Sequence, residues 1–213
     1  MKSHKSPEKQ YDLERLIFFS DGVFAIAVTL LVIEMRPPEH WDGSWPMLLD
    51  GIGAKAIGYA ISFFALAGFW TAHRFIFRHV EKFSEPASLL NLFFLMTISL
   101  VPFGNAMLVD HVVQPVAIDI FVGLTAVIST FMALMWAYLA LMTRSIAAEI
   151  GQAFRWVVLF RLWLMPPILS FGSIWLGSHY GPIIAIVCTA LIAAVAGRFK
   201  VPPVPSRPEI KEL

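Results

Sequence analysis

Six runs of mostly apolar residues, separated by proline, glycine and charge, constrain this chain more than any other feature, because a membrane-spanning helix needs about 20 such residues. The runs lie at about 14–35, 46–77, 87–109, 115–142, 156–177 and 181–197. Charged residues make up 15% of the chain, against about 25% in an ordinary soluble domain. An all-α membrane protein with six transmembrane helices per chain is therefore expected. The second and fourth runs are long enough to tilt or to extend beyond the bilayer, and the sixth is the shortest. Pro102, Pro166 and Pro167 fall inside or beside apolar runs, where neighbouring helices can satisfy the freed carbonyls, and local kinks are expected there. The first run exceeds a signal-peptide core and leads into Glu34-Met35-Arg36-Pro37-Pro38 without a small-x-small cleavage site, so it is expected to stay in the protein.

Basic residues set the orientation, because cytoplasmic loops are enriched in Lys and Arg. With the N-terminus inside, only Arg36 and Lys55 of the 16 basic residues fall on the outer side. A multi-pass protein of the cell membrane with both termini cytoplasmic is expected. Its parts are a cytoplasmic segment at 1–13, a transmembrane domain at 14–197 and a Pro-rich charged tail at 198–213. The outer side holds Glu34, Glu39, Asp42, Asp50, Asp110 and Asp119, which read as solvated loop charges.

Other classes lack their parts. A formal net charge of +1 with scattered basic residues gives no nucleic-acid surface. One cysteine, Cys188, allows neither a disulfide framework nor a Cys-rich metal site within the chain. The six histidines are dispersed, with no HExxH and no GxSxG, so no enzyme, cofactor or metal centre is expected.

The first run, RLIFFSDGVFAIAVTLLVIE at Arg15 to Glu34, carries Ser20 and Asp21 at membrane depth. An ionisable group there is costly and faces a partner, a cavity or an ion path. The topology puts Arg15, Ser20, Asp21, Trp70, His73, Arg74 and Asn91 toward the cytoplasmic leaflet, where they can form one hydrogen-bonded cluster. Arg15 and Asp21 are about 240° apart around the helix and do not pair on one face. Partners for Asp21 are expected from other helices, with His73, Arg74 and Arg161 as candidates. Such a cluster reads either as a clasp between helices or as a proton or ion site.

Farther out, Phe19, Val23, Ile26, Leu30 and Ile33 recur at spacings of 4, 3, 4 and 3. They make one narrow face with Thr29 beside it, interleaved with Gly22, Ala25 and Ala27. This face is either a packing seam or, if several copies surround an axis, a set of apolar rings that gates ion flow by dewetting.

The string from Arg15 through Phe19, Ser20 and Asp21 into GVFAIAVTLLVIE resembles the first-helix signature of the transmembrane protein 175 family of lysosomal potassium channels, in its prokaryotic form. Trp70-x-x-His73, Asn91 and Pro102-Phe103 are similar to further recurrent positions of that family. The resemblance implies a potassium-preferring cation channel with the first helix lining the pore. One FSD string per chain implies a homotetramer in the lipid bilayer, with permeating potassium as the only metal. It implies pore-constricting positions at Ile26, Leu30 and Ile33, a selectivity position at Thr29, and a supporting polar network of Arg15, Phe19, Ser20, Asp21, Trp70, His73 and Asn91. No TVGYG-like filter loop is present, so selectivity must come from hydroxyls, ring diameter or hydration. The alternative is a proton-coupled secondary transporter using Asp21 and His73, although no inverted repeat or pair of broken helices is evident.

Overall fold

A computed structural model describes residues 7–180, apart from 39, 81–83, 112–113, 144 and 147–149. The sixth apolar run at 181–197, the tail at 198–213, and Lys82 and Arg144 lie outside the described residues. Within them the chain forms helices α1 (Pro7–Ile33), α2 (Trp45–Arg78), α3 (Glu85–Ile98), α4 (Val101–Asp110), α5 (Pro115–Ala137) and α6 (Gln152–Tyr180). A π-turn, Tyr138–Met142, extends α5. With α3 and α4 counted as one span, five stretches are long and apolar enough to cross a membrane.

Local chemistry explains the ends. Pro7 opens α1, where its missing N–H costs nothing, and the helix starts seven residues before the apolar run. Ahead of α2, Gly43 takes a left-handed φ of 84°. Asp42 Oδ1 accepts from Ser44 N at 2.8 Å, and Ser44 Oγ caps Met47 N. The Ser44 hydrogen bonds hold the Asp42 carboxyl below its ordinary pKa.

The break between α3 and α4 falls where Pro102 has no N–H to give the carbonyl of Ile98. The chain turns at Ser99–Leu100, with Leu100 N donating to Thr97 O at 3.2 Å. At Pro166 and Pro167, by contrast, α6 continues as a helix, and Ser170 Oγ donates to Pro166 O at 2.9 Å. Arg155, at the start of α6, donates to the carbonyls of Ile150 and Ala140, while its own carbonyl accepts from Trp136 Nε1. It thereby staples the π-turn to α6.

α5 packs against α3, α4 and α6, and α1 packs against α2, α3 and α4. Their shared core holds Phe94, Ile98, Leu31, Leu66, Ile76, Ile128 and Trp136, all fully buried. α1 enters this core along Leu13, Ser20, Phe24, Ala27 and Leu31, at spacings of 7, 4, 3 and 4, which is one stripe of an α-helix. Its other side is left open.

Candidate functional site

Two hydrogen-bonded pins hold the middle of α1. Consecutive residues on a helix point about 100° apart, so Ser20 and Asp21 reach different neighbours. Ser20 Oγ donates to Leu16 O at 2.8 Å and accepts from Asn91 Nδ2 of α3 at 3.0 Å. That leaves Asn91 Oδ1 facing His73 Nε2 of α2 at 2.8 Å. An acceptor oxygen requires a donor, so Nε2 carries a hydrogen. His73 Nδ1 is buried without a hydrogen-bond partner. The ring lies among Phe24, Phe77 and Phe94, stacked on Phe94 at 5.6 Å.

Asp21 makes the second pin. Its Oδ1 accepts from Trp70 Nε1 at 2.8 Å. The Arg74 guanidinium lies over the Trp70 ring at 4.5 Å. The expected single cluster is therefore two separate ones, Ser20–Asn91–His73 and Asp21–Trp70–Arg74. The hydrogen-bond partner of Asp21 is an indole rather than His73, Arg74 or Arg161. Arg15 does not pair with Asp21 and sits over the Tyr11 ring at 5.6 Å.

The heptad face is the open side of α1. Phe19, Ile26, Leu30 and Ile33 are 53%, 61%, 41% and 57% exposed. A groove of about 660 Å³ runs along it, lined by Arg15, Phe19, Gly22, Val23 and Ile26 among others. Gly22 has nothing within 4 Å of where a Cβ would stand. Thr29 is exposed beside this face, and its hydroxyl donates to Ile26 O at 2.8 Å. The hydroxyl proton is thus committed to the helix, and the oxygen lone pairs remain available as acceptors.

One buried polar pair escaped the sequence reasoning. Ser62 Oγ of α2 donates to Asn105 Oδ1 of α4 at 2.9 Å, both side chains being buried. Gly58, one turn before Ser62, brings the helices together, because a Cβ there would strike Val109 Cγ2 and lie 3.2 Å from Asn105 Oδ1. Ser62 and Asn105 interrupt apolar runs at the same level of the bundle, and that was the available signal. Nearby, Lys55 and Asp110 approach to 3.8 Å. No group of three or more metal-ligating side chains occurs among the described residues.

A bundle of membrane-length helices, with one helix pinned by polar bonds on one side and bare along an apolar seam on the other, is a multi-pass membrane protein. A family model described as endosomal/lysosomal potassium channel TMEM175 matches residues 15–102, the part that contains both pins and the seam. Over that stretch the chain is similar to the TMEM175 family. A protein named as a potassium channel, from Chamaesiphon minutus, is 29% identical over 85% of this chain and 95% of its own length. The mouse protein named endosomal/lysosomal proton channel TMEM175 is 27% identical over 63% of this chain, which spans 27% of it. The crystal structure of a lysosomal potassium-selective channel TMEM175 homolog from Chamaesiphon minutus aligns with a TM-score of 0.64 at 28% identity. That alignment covers 86% of this chain and 98% of the other.

Proposed function

We propose that this chain is a potassium-preferring cation channel of the cell membrane, a homotetramer with passive permeation along an axis lined by α1. The observation that carries the reading is the seam. The most apolar of the described spans keeps Ile26, Leu30 and Ile33 out of the protomer core, beside a threonine whose oxygen is free to accept. Four copies turned inward would stack these residues as rings. In the closed state the Ile26, Leu30 and Ile33 rings exclude water and with it ions, and opening splays α1 until the narrowest ring hydrates. Thr29 supplies the polar layer that favours potassium.

Arg15, Phe19, Ser20, Asp21, Trp70, His73 and Asn91 support the pore helix and do not touch the ion. Both termini are cytoplasmic, with the segments 1–13 and 198–213 flanking the transmembrane domain at 14–197. The potassium-channel names of bacterial relatives support this reading.

The test is ion flux from liposomes loaded with potassium, under potassium and then sodium gradients, for the wild type and Ile26→Asn. Flux driven by the potassium gradient alone and larger in the variant is expected. Unchanged flux in a correctly assembled Ile26→Asn protein would remove the ring from the gate.

A second reading takes its support from the mammalian relatives named as proton channels. In it, protons move by way of Asp21 and His73, as a conductance or as a coupled transporter. Against it, the two side chains are bonded to different partners, Trp70 and Asn91. Flux that saturates and requires an imposed proton gradient would favour this reading over the channel.

A further inference from the structure

The cytoplasmic third of α2 presents a face that the pore reading does not use. Phe64, Gly68, Thr71, Arg74 and Arg78 are all exposed, and at 100° per residue they fall within about 120° of one another. The first part of this face is apolar. Phe64 is 67% exposed, Gly68 has nothing within 4 Å of a notional Cβ, and Thr71 turns its hydroxyl hydrogen back onto Ala67 O at 2.8 Å. The last part carries two guanidinium groups, and among the described residues neither has a carboxylate within 4 Å. Arg74 is held in place from below by the Trp70 ring.

Depth and charge fit one kind of molecule. Ten residues of helix from Phe64 to Arg74 rise about 15 Å, half of a hydrocarbon core about 30 Å thick. A phospholipid in the cytoplasmic leaflet has its phosphate and its chain end at that separation. Guanidinium pairs favour phosphate oxygens by charge and by their fork of N–H donors. We propose that Arg74 and Arg78 bind the phosphate of an anionic phospholipid, whose acyl chain lies along Thr71, Gly68 and Phe64. The leaflet rests on the topology proposed above, with both termini inside. A headgroup seated there also braces Trp70, and through it the contact with Asp21 on the pore helix.

The experiment exchanges the purified full-length protein into detergent with equal amounts of phosphatidylglycerol and phosphatidylcholine and measures retained lipid by mass spectrometry. It needs no conduction, so its failure would leave the channel reading standing. Phosphatidylglycerol is expected to be retained in clear preference. Arg74→Gln and Arg78→Gln should each weaken that preference about fivefold, the Lys variants should retain most of it, and Lys55→Gln should leave it unchanged. Equal retention of the two lipids, or a preference untouched by both Gln variants, would overturn the proposal. Displacement of the lipid by an equal concentration of soluble glycerol phosphate would also overturn it, because the site would then be one for a free phosphate.

Discussion

Trp70 donates its indole N–H to the Asp21 carboxylate at 2.8 Å, tying the pore-helix candidate α1 to α2 through a charge-assisted bond. Trp70→Phe keeps an aromatic ring and removes the donor. Hydrogen bonds to charged groups contribute about 1.5–3 kcal/mol, and a half-buried carboxylate stripped of its donor adds a desolvation cost. Asp21→Asn retains an acceptor oxygen and is expected to cost less than Trp70→Phe. Thermal unfolding of both variants in detergent checks this, and equal losses would mean that exchanging the acceptor weakens the contact as much as removing the donor.

The Ser20–Asn91–His73 pin should behave as a unit. Asn91→Ala leaves Ser20 and His73 without their partner at once and should destabilise by about 2 kcal/mol or more, with Ser20→Ala costing about 1 kcal/mol. The double variant Ser20→Ala/Asn91→Ala is expected to fall short of the sum, as for residues sharing one hydrogen bond. His73→Gln keeps an N–H for Asn91 Oδ1 and should be milder than His73→Leu. Strict additivity in the double-mutant cycle would separate Ser20 from the network.

The close approach of α2 and α4 gives a packing prediction. Gly58→Ala would place a Cβ against Val109 Cγ2, and overpacking of this kind costs about 1–3 kcal/mol. Val109→Ala removes the obstructing methyl and leaves Val109 Cβ 3.7 Å from the new methyl, an ordinary contact. The pair Gly58→Ala/Val109→Ala should therefore be more stable than Gly58→Ala alone. No recovery in the melting temperature would place the cost elsewhere, at Asn105.

Much of the fold was legible because apolar length is a direct readout of membrane thickness. The first five runs correspond to α1, α2, α3 with α4, α5 and α6. The start of α1 was not legible. Glu8, Lys9, Gln10 and Asp12 continue the helix ahead of the apolar run, and hydropathy cannot register a helix made of polar residues. Pro102 marked its break, yet Pro166 and Pro167 sit in a continuous helix. A missing N–H says where a bond is lost but not whether neighbours absorb the loss.

At the site, residue types located the helices that meet Asp21 but misjudged the atom. Charge complementarity pointed to Arg74 or His73, whereas the position one turn earlier put an uncharged indole in reach. Ser62 and Asn105 were passed over because neither is charged, although burial makes their bond as specific as the other two.

Thr29 offers the most direct check on the proposed pore. Its proton is committed to Ile26 O, so in a ring of four the oxygens would face the axis as acceptors, which suits a partly dehydrated cation. Thr29→Val keeps the branched shape and removes the oxygen, and Thr29→Ser keeps the oxygen and removes the methyl. If each cation loses a contribution of about 1 kcal/mol, the preference for potassium over sodium should fall about fivefold in Thr29→Val. Thr29→Ser should stay near the wild type. Reversal potentials under mixed potassium and sodium gradients measure this without depending on open probability. A Thr29→Val reversal potential equal to the wild type would shift selectivity to the diameter of the neighbouring Ile26 and Leu30 rings, where Ile26→Val and Leu30→Val should then alter it.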